Sequence, residues 1–318
     1  MKVIVTGGMG FIGSNFINML VSGEDSAEVV NVDKMTYASD PANLQKPEAI
    51  ENYKLDISRL TGREHFFEDA DTIVNFAAES HVDRSIKNSK DFIQSNVVGV
   101  HRLLEITRKL DLRYHQISTD EVYGSLPLNS GTKFTENSAY SPRNPYSATK
   151  ASADLLVKAY HNTYGIRATI SNCSNNYGPN QHPEKLIPKT ILYALNGMKI
   201  PIYGSGRQVR DWIHVADHCT AIRMIIERGK PGETYLVGAD GERSNIEVVR
   251  KILEIMNKPD SMIEFVQDRP GHDQRYAIDS RKIRRDLGWR PEVDFDHGLR
   301  ETIQHYIVSR KRYEEKVL

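Results

Sequence analysis

Residues 2–14 read KVIVTGGMGFIGS: a short apolar run, a turn in which Gly7, Gly10 and Gly13 fall three apart, and the start of a second apolar stretch. A strand that passes into a helix through such glycines lets backbone approach a pyrophosphate closely, and the helix N-terminus favours the negative charge. A glycine triplet alone is a weak signal, so its surroundings decide. A second strand-like run, VVNVD, ends in Asp33, 20 residues beyond Gly13. A carboxylate at that distance accepts from the adenine ribose 2′-hydroxyl and repels a 2′-phosphate, which predicts NAD rather than NADP. The helix is expected to begin near Phe11, so Phe11 and Ile12 join the glycines and Asp33 at the cofactor. Asp56 and Ile57, after a third strand, are placed for the adenine edge, although Asp56 reads nearly as well as a loop acid capping a helix.

The alternation continues outward. YKLDI, TIVNFA, YHQIST and ATISNCS are further short apolar runs, separated by loop-like or helically spaced segments. This pattern predicts an α/β chain with a doubly wound parallel sheet of Rossmann type. The clearest helices are expected at 89–109 and 146–164. After Ser174 the texture changes to NNYGPNQHPE and then to a mixture of short strands and helices. Residues 1–174 are therefore expected to bind the dinucleotide, helped by a returning strand and helix near 209–230, and 175–318 to form a smaller mixed α/β substrate domain. A last helix is expected from about Phe295 to Lys316, with Phe295, Leu299, Ile303, Tyr306 and Ile307 on one stripe and RKRYEEK as a solvated tail.

Composition narrows the function classes. The 318 residues carry 42 Lys plus Arg against 42 Asp plus Glu, so the summed charge gives no reason to expect nucleic acid or an anionic membrane as partner. No stretch approaches the roughly 20 apolar residues of a membrane span, and the N-terminus enters a strand without a signal-peptide pattern. A cytoplasmic location is expected. The two cysteines, Cys173 and Cys219, lack metal-ligand spacing and read as buried free thiols. His81 and His272 also lack such a partner, and no metal is expected.

The chemistry is expected around PYSATK and ISTDEVYG. Tyr146 and Lys150 are four apart at the start of a helix, so they share a face on which the ammonium can lower the phenol's pKa and bind the nicotinamide ribose. Thr119, Asp120 and Glu121 follow directly on an apolar strand, where two adjacent carboxyls cost folding energy and ask for a reason. Acids near a helix start are also welcome as capping groups, which is the plainer reading of the pair.

Joined to the glycine loop, Thr119, Tyr146 and Lys150 resemble the short-chain dehydrogenase/reductase superfamily, in its extended, nucleotide-sugar branch. TDEVYG, AAESHVDRSI (77–86), NCSNNYGP (172–179), EKLIP (184–188), PIYGSGRQVRDW (201–212) and DRPGHDQRYAID (268–279) together resemble the dTDP-glucose 4,6-dehydratases. The resemblance implies that Tyr146 takes a sugar hydroxyl proton, that Thr119 stands where Ser is usual, that Glu121 is the base for C5 and that Asp120 is the acid for C6. It implies further cofactor contacts at Lys34, Thr36, Ala77, Ala78, Ser80 and Asn176. For the substrate it implies Ser80, Thr119 and Asn175 at the sugar or phosphate, and Lys185, Leu186, Pro201, Ile202 and Tyr203 at the nucleoside. Arg210, Asn245, Asp268, Arg269 and His272 are implied at the diphosphate and ribose. It also implies a homodimer in which the two long helices of each subunit form a four-helix bundle; ordinary packing against the sheet is the alternative for those helices.

The chain departs from the family pattern at YLVGADGERSN, where Leu236 replaces a common Asn, and in a short loop between Gly124 and Phe134. Two enzymatic alternatives share much of the pattern. A 4,6-dehydratase acting on UDP-glucose or UDP-N-acetylglucosamine would use the same catalytic residues. A nucleotide-sugar 4-epimerase would need the glycine loop, Tyr146 and Lys150 but not the acid pair. A cofactor-binding scaffold without activity would be expected to lack some catalytic groups, and none is missing.

Overall fold

Val3, Ile4 and Val5 are all fully buried, which requires cover on both faces of the strand that carries them. The computed structural model, which describes residues 1–22 and 27–316, supplies that cover. Its strands, in chain order, are β1 (Lys2–Thr6), β2 (Glu28–Asp33), β3 (Ile50–Lys54), β4 (Thr72–Asn75), β5 (Arg113–Thr119), β6 (Arg167–Cys173), β7 (Asn175–Tyr177), β8 (Ile200–Tyr203), β9 (Val209–His214), β10 (Thr234–Val237), β11 (Glu242–Ser244) and β12 (Ile263–Val266). Seven of them form one parallel sheet in the order β10-β6-β5-β4-β1-β2-β3. Successive side chains of a strand point to opposite faces, and the core divides accordingly. Ile4, Val30, Ile73, Tyr114 and Ile170 meet the helices Val100–Leu110 and Pro145–Tyr164 on one face. Val3, Val5, Val29, Val74 and Ile117 meet the helices Phe11–Ser22 and Val215–Arg228 on the other.

The strand order fixes where a ligand can enter. From β1 the chain winds outward through β2 and β3, and from β4 it winds the opposite way, so a crevice opens beyond the carboxyl ends of β1 and β4. Polar side chains lace the middle of the sheet: Thr6 donates to Asn75 at 2.6 Å, Asn75 to Gln116 at 3.0 Å, and Tyr114 to Gln116 at 2.5 Å. These buried groups satisfy one another and hold neighbouring strand ends in register.

The expected helix at 89–109 is broken in character. It runs as Lys90–Ile93, a π-helical stretch Gln94–Gly99, and Val100–Leu110. The helix Val215–Arg228 packs on the main sheet, but the strand at 209–214 does not join it. β9 instead joins β7 and β11 in a small sheet, and β10 takes the edge beside β6. The sequence of β9, VRDWIH, alternates too little to distinguish the two sheets.

The rest of the C-terminal half packs the helices Leu186–Leu195, Asn245–Ile255 and Phe295–Val308 around Tyr177 and Trp212, with β8 and β12 paired in parallel at its rim. Asp217, buried in the Val215–Arg228 helix, accepts from the backbone of Glu292 and Val293 at 3.0 and 3.1 Å and so fixes the entry to the last helix. That helix stops at Val308, and a further turn spans Arg310–Glu314. Ile307 is exposed rather than part of the buried stripe. The expected solvated tail is instead docked. Tyr313 is buried against Tyr306, with ring centroids 4.7 Å apart, and Arg312 and Lys316 reach Asp40 at 2.8 and 2.6 Å. The charges of RKRYEEK hid one buried aromatic in their midst.

Tyr313→Ala should therefore destabilise the chain by about 3 kcal/mol, the scale of losing a buried aromatic. Chemical denaturation checks this; a change within error would mean the tail contributes nothing.

Candidate active site

Gly7 turns the chain off β1 with φ of 71°, and a Cβ there would lie 2.7 Å from the Ala77 backbone nitrogen. A Cβ on Gly13 would lie 2.4 Å from the Gly7 carbonyl oxygen. Only bare backbone lets this turn pack both against the end of β4 and under the Phe11–Ser22 helix. Asp33, at the end of β2, is held by three donors: the Met9 and Met35 amides at 3.0 and 2.8 Å and the Ser39 hydroxyl at 2.7 Å. Asp56 is both a cap and a cleft residue. Its carboxylate accepts from the Ser58 amide at 2.9 Å and pairs with Lys34 at 3.0 Å. One cleft is lined by Gly7, Gly10, Phe11, Ile12, Gly13, Asp33, Lys34, Thr36, Asp56, Ile57, Ala77, Ala78, Ser80 and Asn176, and it continues to Thr119, Asp120, Glu121, Tyr146, Lys150, Asn175 and Lys185.

The far end of the cleft is built by two elements. β5 ends at Thr119, whose hydroxyl accepts from the Glu121 amide at 3.3 Å and caps the single turn Asp120–Tyr123. The acid pair thus lies in the first turn of a helical segment, as the capping reading expects, but it also faces the cleft. Opposite, the Pro145–Tyr164 helix starts from a capping box between Asn144 and Ser147, which aims Tyr146 and Lys150 along one face. Tyr146 is buried edge-on against Phe92, and its amide donates a hydrogen bond to the Ser85 hydroxyl at 3.2 Å. Lys150 donates to the Ile117 carbonyl at 2.6 Å.

Burial sets the proton affinities here. It holds the Asp120 carboxyl well above the usual range, and repulsion from Glu121 and Asp211 adds to it. It also raises Glu121, but there Arg210, Arg269 and Lys185 pull the other way. Adjacent acids are thereby separated, with Asp120 favouring its proton and Glu121 surrounded by cations. Asp120 Oδ2 and Glu121 Oε2 are both buried without a hydrogen-bond partner among the described residues. Tyr146 lies well above an ordinary phenol, through burial first and the Glu121 charge second, while Thr119 lowers it. The expected lowering by Lys150 is not among the effects that set it: the ammonium points to the β5 backbone.

Several residues that brace the cleft were given no role from the sequence. Asn96, in the π-helical stretch, exchanges hydrogen bonds with the backbone of Glu79 at 2.9 and 3.0 Å and donates to Thr149, so the irregular helix braces the loop after β4. Glu184 collects Tyr37 at 3.2 Å, His81 at 3.4 Å and Arg84 at 3.5 Å, and the Arg84 guanidinium lies 3.6 Å above the Tyr37 ring. This cluster joins three loops along the cleft wall. Burial pushes His81 down to about 4, so its contact with Glu184 is a neutral one near neutral pH. Behind the cleft, Asn172 donates to Asp154 on the Pro145–Tyr164 helix and the Cys173 thiol donates to the Ser118 carbonyl of β5.

The other expected substrate residues sit beside the cleft, in the C-terminal half, not among its lining. Arg269 pairs with Asp83 at 3.1 Å, and Tyr203 donates to the same Asp83 at 3.1 Å. Asp268 accepts from His272 at 2.6 Å and from Gln208 at 2.9 Å. Arg210 is buried over the Tyr276 ring. Leu186 and Asn245 begin their helices. Ile202 corrects the expectation: it is buried in the core among Ile200, Val249 and Leu253, because alternation along β8 turns Pro201 and Tyr203 to the other side. Leu236, the departure from the family pattern, is likewise a core residue, packed with Val122 and Tyr123.

Comparison with known proteins agrees on one family. The family model described as GDP-mannose 4,6 dehydratase matches residues 4–302. A dTDP-glucose 4,6-dehydratase of Escherichia coli is 46% identical, covering 100% of this chain and 96% of the relative. A crystal structure of the Streptomyces venezuelae dTDP-glucose 4,6-dehydratase, solved with NAD bound, superposes with a TM-score of 0.95 at 42% identity, covering 99% and 100% of the two chains. A UDP-glucose 4-epimerase of Thermotoga maritima has a TM-score of 0.90 but only 25% identity, covering 98% and 100%.

The raised Asp120 carboxyl makes a prediction about stability. The unfolded chain releases this proton near pH 4 while the folded chain keeps it, so folding is penalised as pH rises above that point. Asp120→Asn should be more stable than the parent by about 1 kcal/mol or more near neutral pH and lose that advantage below about pH 4. Denaturant midpoints at the two pH values check it, and an equal midpoint near neutrality would contradict the raised carboxyl.

Proposed function

We propose, for a chain that belongs to the GDP-mannose 4,6 dehydratase family, the 4,6-dehydration of dTDP-glucose to dTDP-4-keto-6-deoxyglucose. The observation that carries this reading is the acid pair Asp120 and Glu121, two neighbours with unequal electrostatic surroundings, facing one cleft with Tyr146. The residues present fit NAD: the glycine turn has no room for a Cβ, and Asp33 is oriented by three donors where a ribose hydroxyl would be read. Gly7, Gly10, Gly13, Asp33, Tyr146 and Lys150 would hold it, and when bound it supplies the oxidation at C4 and the later reduction at C6.

The chain's own groups then handle protons. Tyr146 takes the proton of the C4 hydroxyl. The ketone so formed makes the C5 hydrogen acidic, and Glu121, with Arg210, Arg269 and Lys185 around it, is the carboxylate that removes it. Asp120, which burial and repulsion keep protonated, gives its proton to the hydroxyl leaving C6. The protons balance: as hydride returns to C6, Glu121 gives a solvent-exchanged proton back to C5, the proton gained by Tyr146 equals the one spent by Asp120 and both groups reset through solvent, and one water leaves. Identity favours this reaction over epimerisation, since the two dehydratase relatives named above stand at 46% and 42% and the epimerase structure at 25%.

The substrate's nucleotide would lie against the C-terminal half, with Lys185, Tyr203, Arg210, Asn245, Asp268, Arg269 and His272 as its contacts. Arg suits a diphosphate because its planar fork donates two bonds at once. Residues 1–174 with the Val215–Arg228 helix and β10 serve the cofactor, and the remainder serves the sugar nucleotide. The two cysteines are buried and unpaired, which suits a reducing cytoplasm. Among the described residues no helix is long and apolar enough to cross a membrane. A homodimer through a four-helix bundle is supported by apolar side chains left exposed on the expected helices: Ile93 and Val98 on one, Leu155 and Tyr164 on the other.

Mass spectrometry in heavy water tests the reaction. With dTDP-glucose, one water should be lost and one solvent deuteron gained at C5; no loss of water, or faster turnover of UDP-glucose or UDP-N-acetylglucosamine, would overturn the assignment or its nucleotide. Glu121→Gln should abolish C5 exchange while C4 oxidation remains visible as reduced-cofactor absorbance, and full exchange would remove Glu121 as the base. Leu155→Glu should shift the sedimenting species from dimer to monomer, and a parent chain that is already monomeric at all concentrations would refute the dimer.

A further inference from the structure

Asp154 is a fully buried carboxylate that the reaction above does not use. It follows Lys150 by one helical turn, as Lys150 follows Tyr146, so the three lie along one side of the Pro145–Tyr164 helix. Its Oδ2 accepts from Ser118 at 2.7 Å, Asn172 at 3.0 Å and Tyr140 at 3.3 Å. Its Oδ1 is buried without a hydrogen-bond partner among the described residues. The partners are not incidental. Ser118 stands between Ile117, whose carbonyl takes the Lys150 ammonium at 2.6 Å, and Thr119, whose carbonyl takes the other hydrogen of the Asn172 amide at 3.1 Å.

We infer that Asp154 is a positioning residue whose carboxylate stabilises the Lys150 ammonium and fixes the end of β5 that carries Thr119, Asp120 and Glu121. A buried ammonium without a nearby negative charge gives up its proton easily, and a purely structural anchor could have been an amide or a hydroxyl. Burial does push Lys150 down, and Asp154 is the largest influence opposing it, with Cys173 second. The groups facing Asp154 are Lys150 and Lys158 on its own helix, Ser118 and Tyr114 on β5, Asn172 on β6, Tyr123 after β5 and Tyr140 in the following loop. Of these only the two lysines carry charge, and Lys158 is itself turned to the Tyr140 hydroxyl at 3.1 Å.

The inference rests on the proposed role of Lys150 beside Tyr146, and the test separates the two. Single-turnover C4 oxidation by the holoenzyme is followed across pH by reduced-cofactor absorbance, together with the pH dependence of NAD affinity by calorimetry. This step precedes the work of Asp120 and Glu121, so its alkaline limb does not report them. In Asp154→Asn the alkaline limb and the fall in NAD affinity should both move down by about one pH unit, tenfold in the proton affinity of the ammonium. A folded Asp154→Asn chain with both limbs unmoved overturns the inference. Ser118→Ala keeps the charge and removes one anchoring donor, so its alkaline limb should stay with the parent's; a shift there overturns the electrostatic role even if Asp154→Asn does not fold. A parent chain that oxidises no sugar nucleotide would count against the proposed reaction instead.

Discussion

Desolvation of two adjacent carboxyls is the constraint on which the rest of this molecule depends. Asp120 and Glu121 sit where β5 leaves a fully covered parallel sheet, and each has a buried oxygen without a hydrogen-bond partner among the described residues. Such groups are costly, and the cost is offset elsewhere. The sheet core on both faces fixes β5, the laced polar groups of Thr6, Asn75 and Gln116 hold its register, and the helix carrying Tyr146 is buttoned to it through Lys150 and Asp154. Cations come from the other half of the chain, which is why neither half makes the site alone.

The two acids have nearly the same chemical identity and unequal neighbours. Asp120 has Glu121 and Asp211 against Arg210, while Glu121 has Arg210, Arg269 and Lys185 against Asp273. A difference of surroundings over one residue requires elements from distant parts of the sequence to converge, here β5, β9 and the segment around Asp268. That convergence explains the interleaved path of the chain better than any local preference does.

Much of this was legible in the sequence because it is local. The glycine turn, Asp33 and the Tyr146–Lys150 spacing each express a requirement of a few consecutive residues, and the parallel strands show as apolar runs. What could not be read is set by partners far along the chain. The spacing of Asp154 was visible, but a carboxylate in a helix ordinarily faces water, and only Ser118, Asn172 and Tyr140 show that this one does not. The docked tail was hidden by its charges, and β10 could not be told from β9 as the returning strand, because both are short. Ile202 was assigned from a motif as a block, whereas alternation along β8 sends it into the core.

The edge position of β10 has a bearing on how such a chain can be divided or recombined. The strand arrives from beyond β9 and covers β6, a seven-residue strand whose outer backbone groups would otherwise be open. A gene cut at the apparent boundary after Ser174 would produce a first fragment ending in a naked parallel edge, prone to pair with other copies. The segments between β6 and β10, apart from the Val215–Arg228 helix, thus interrupt the main-sheet unit rather than follow it. Exchange of specificity between relatives should proceed by replacing the interrupting segments and leaving the returning helix and strand in place.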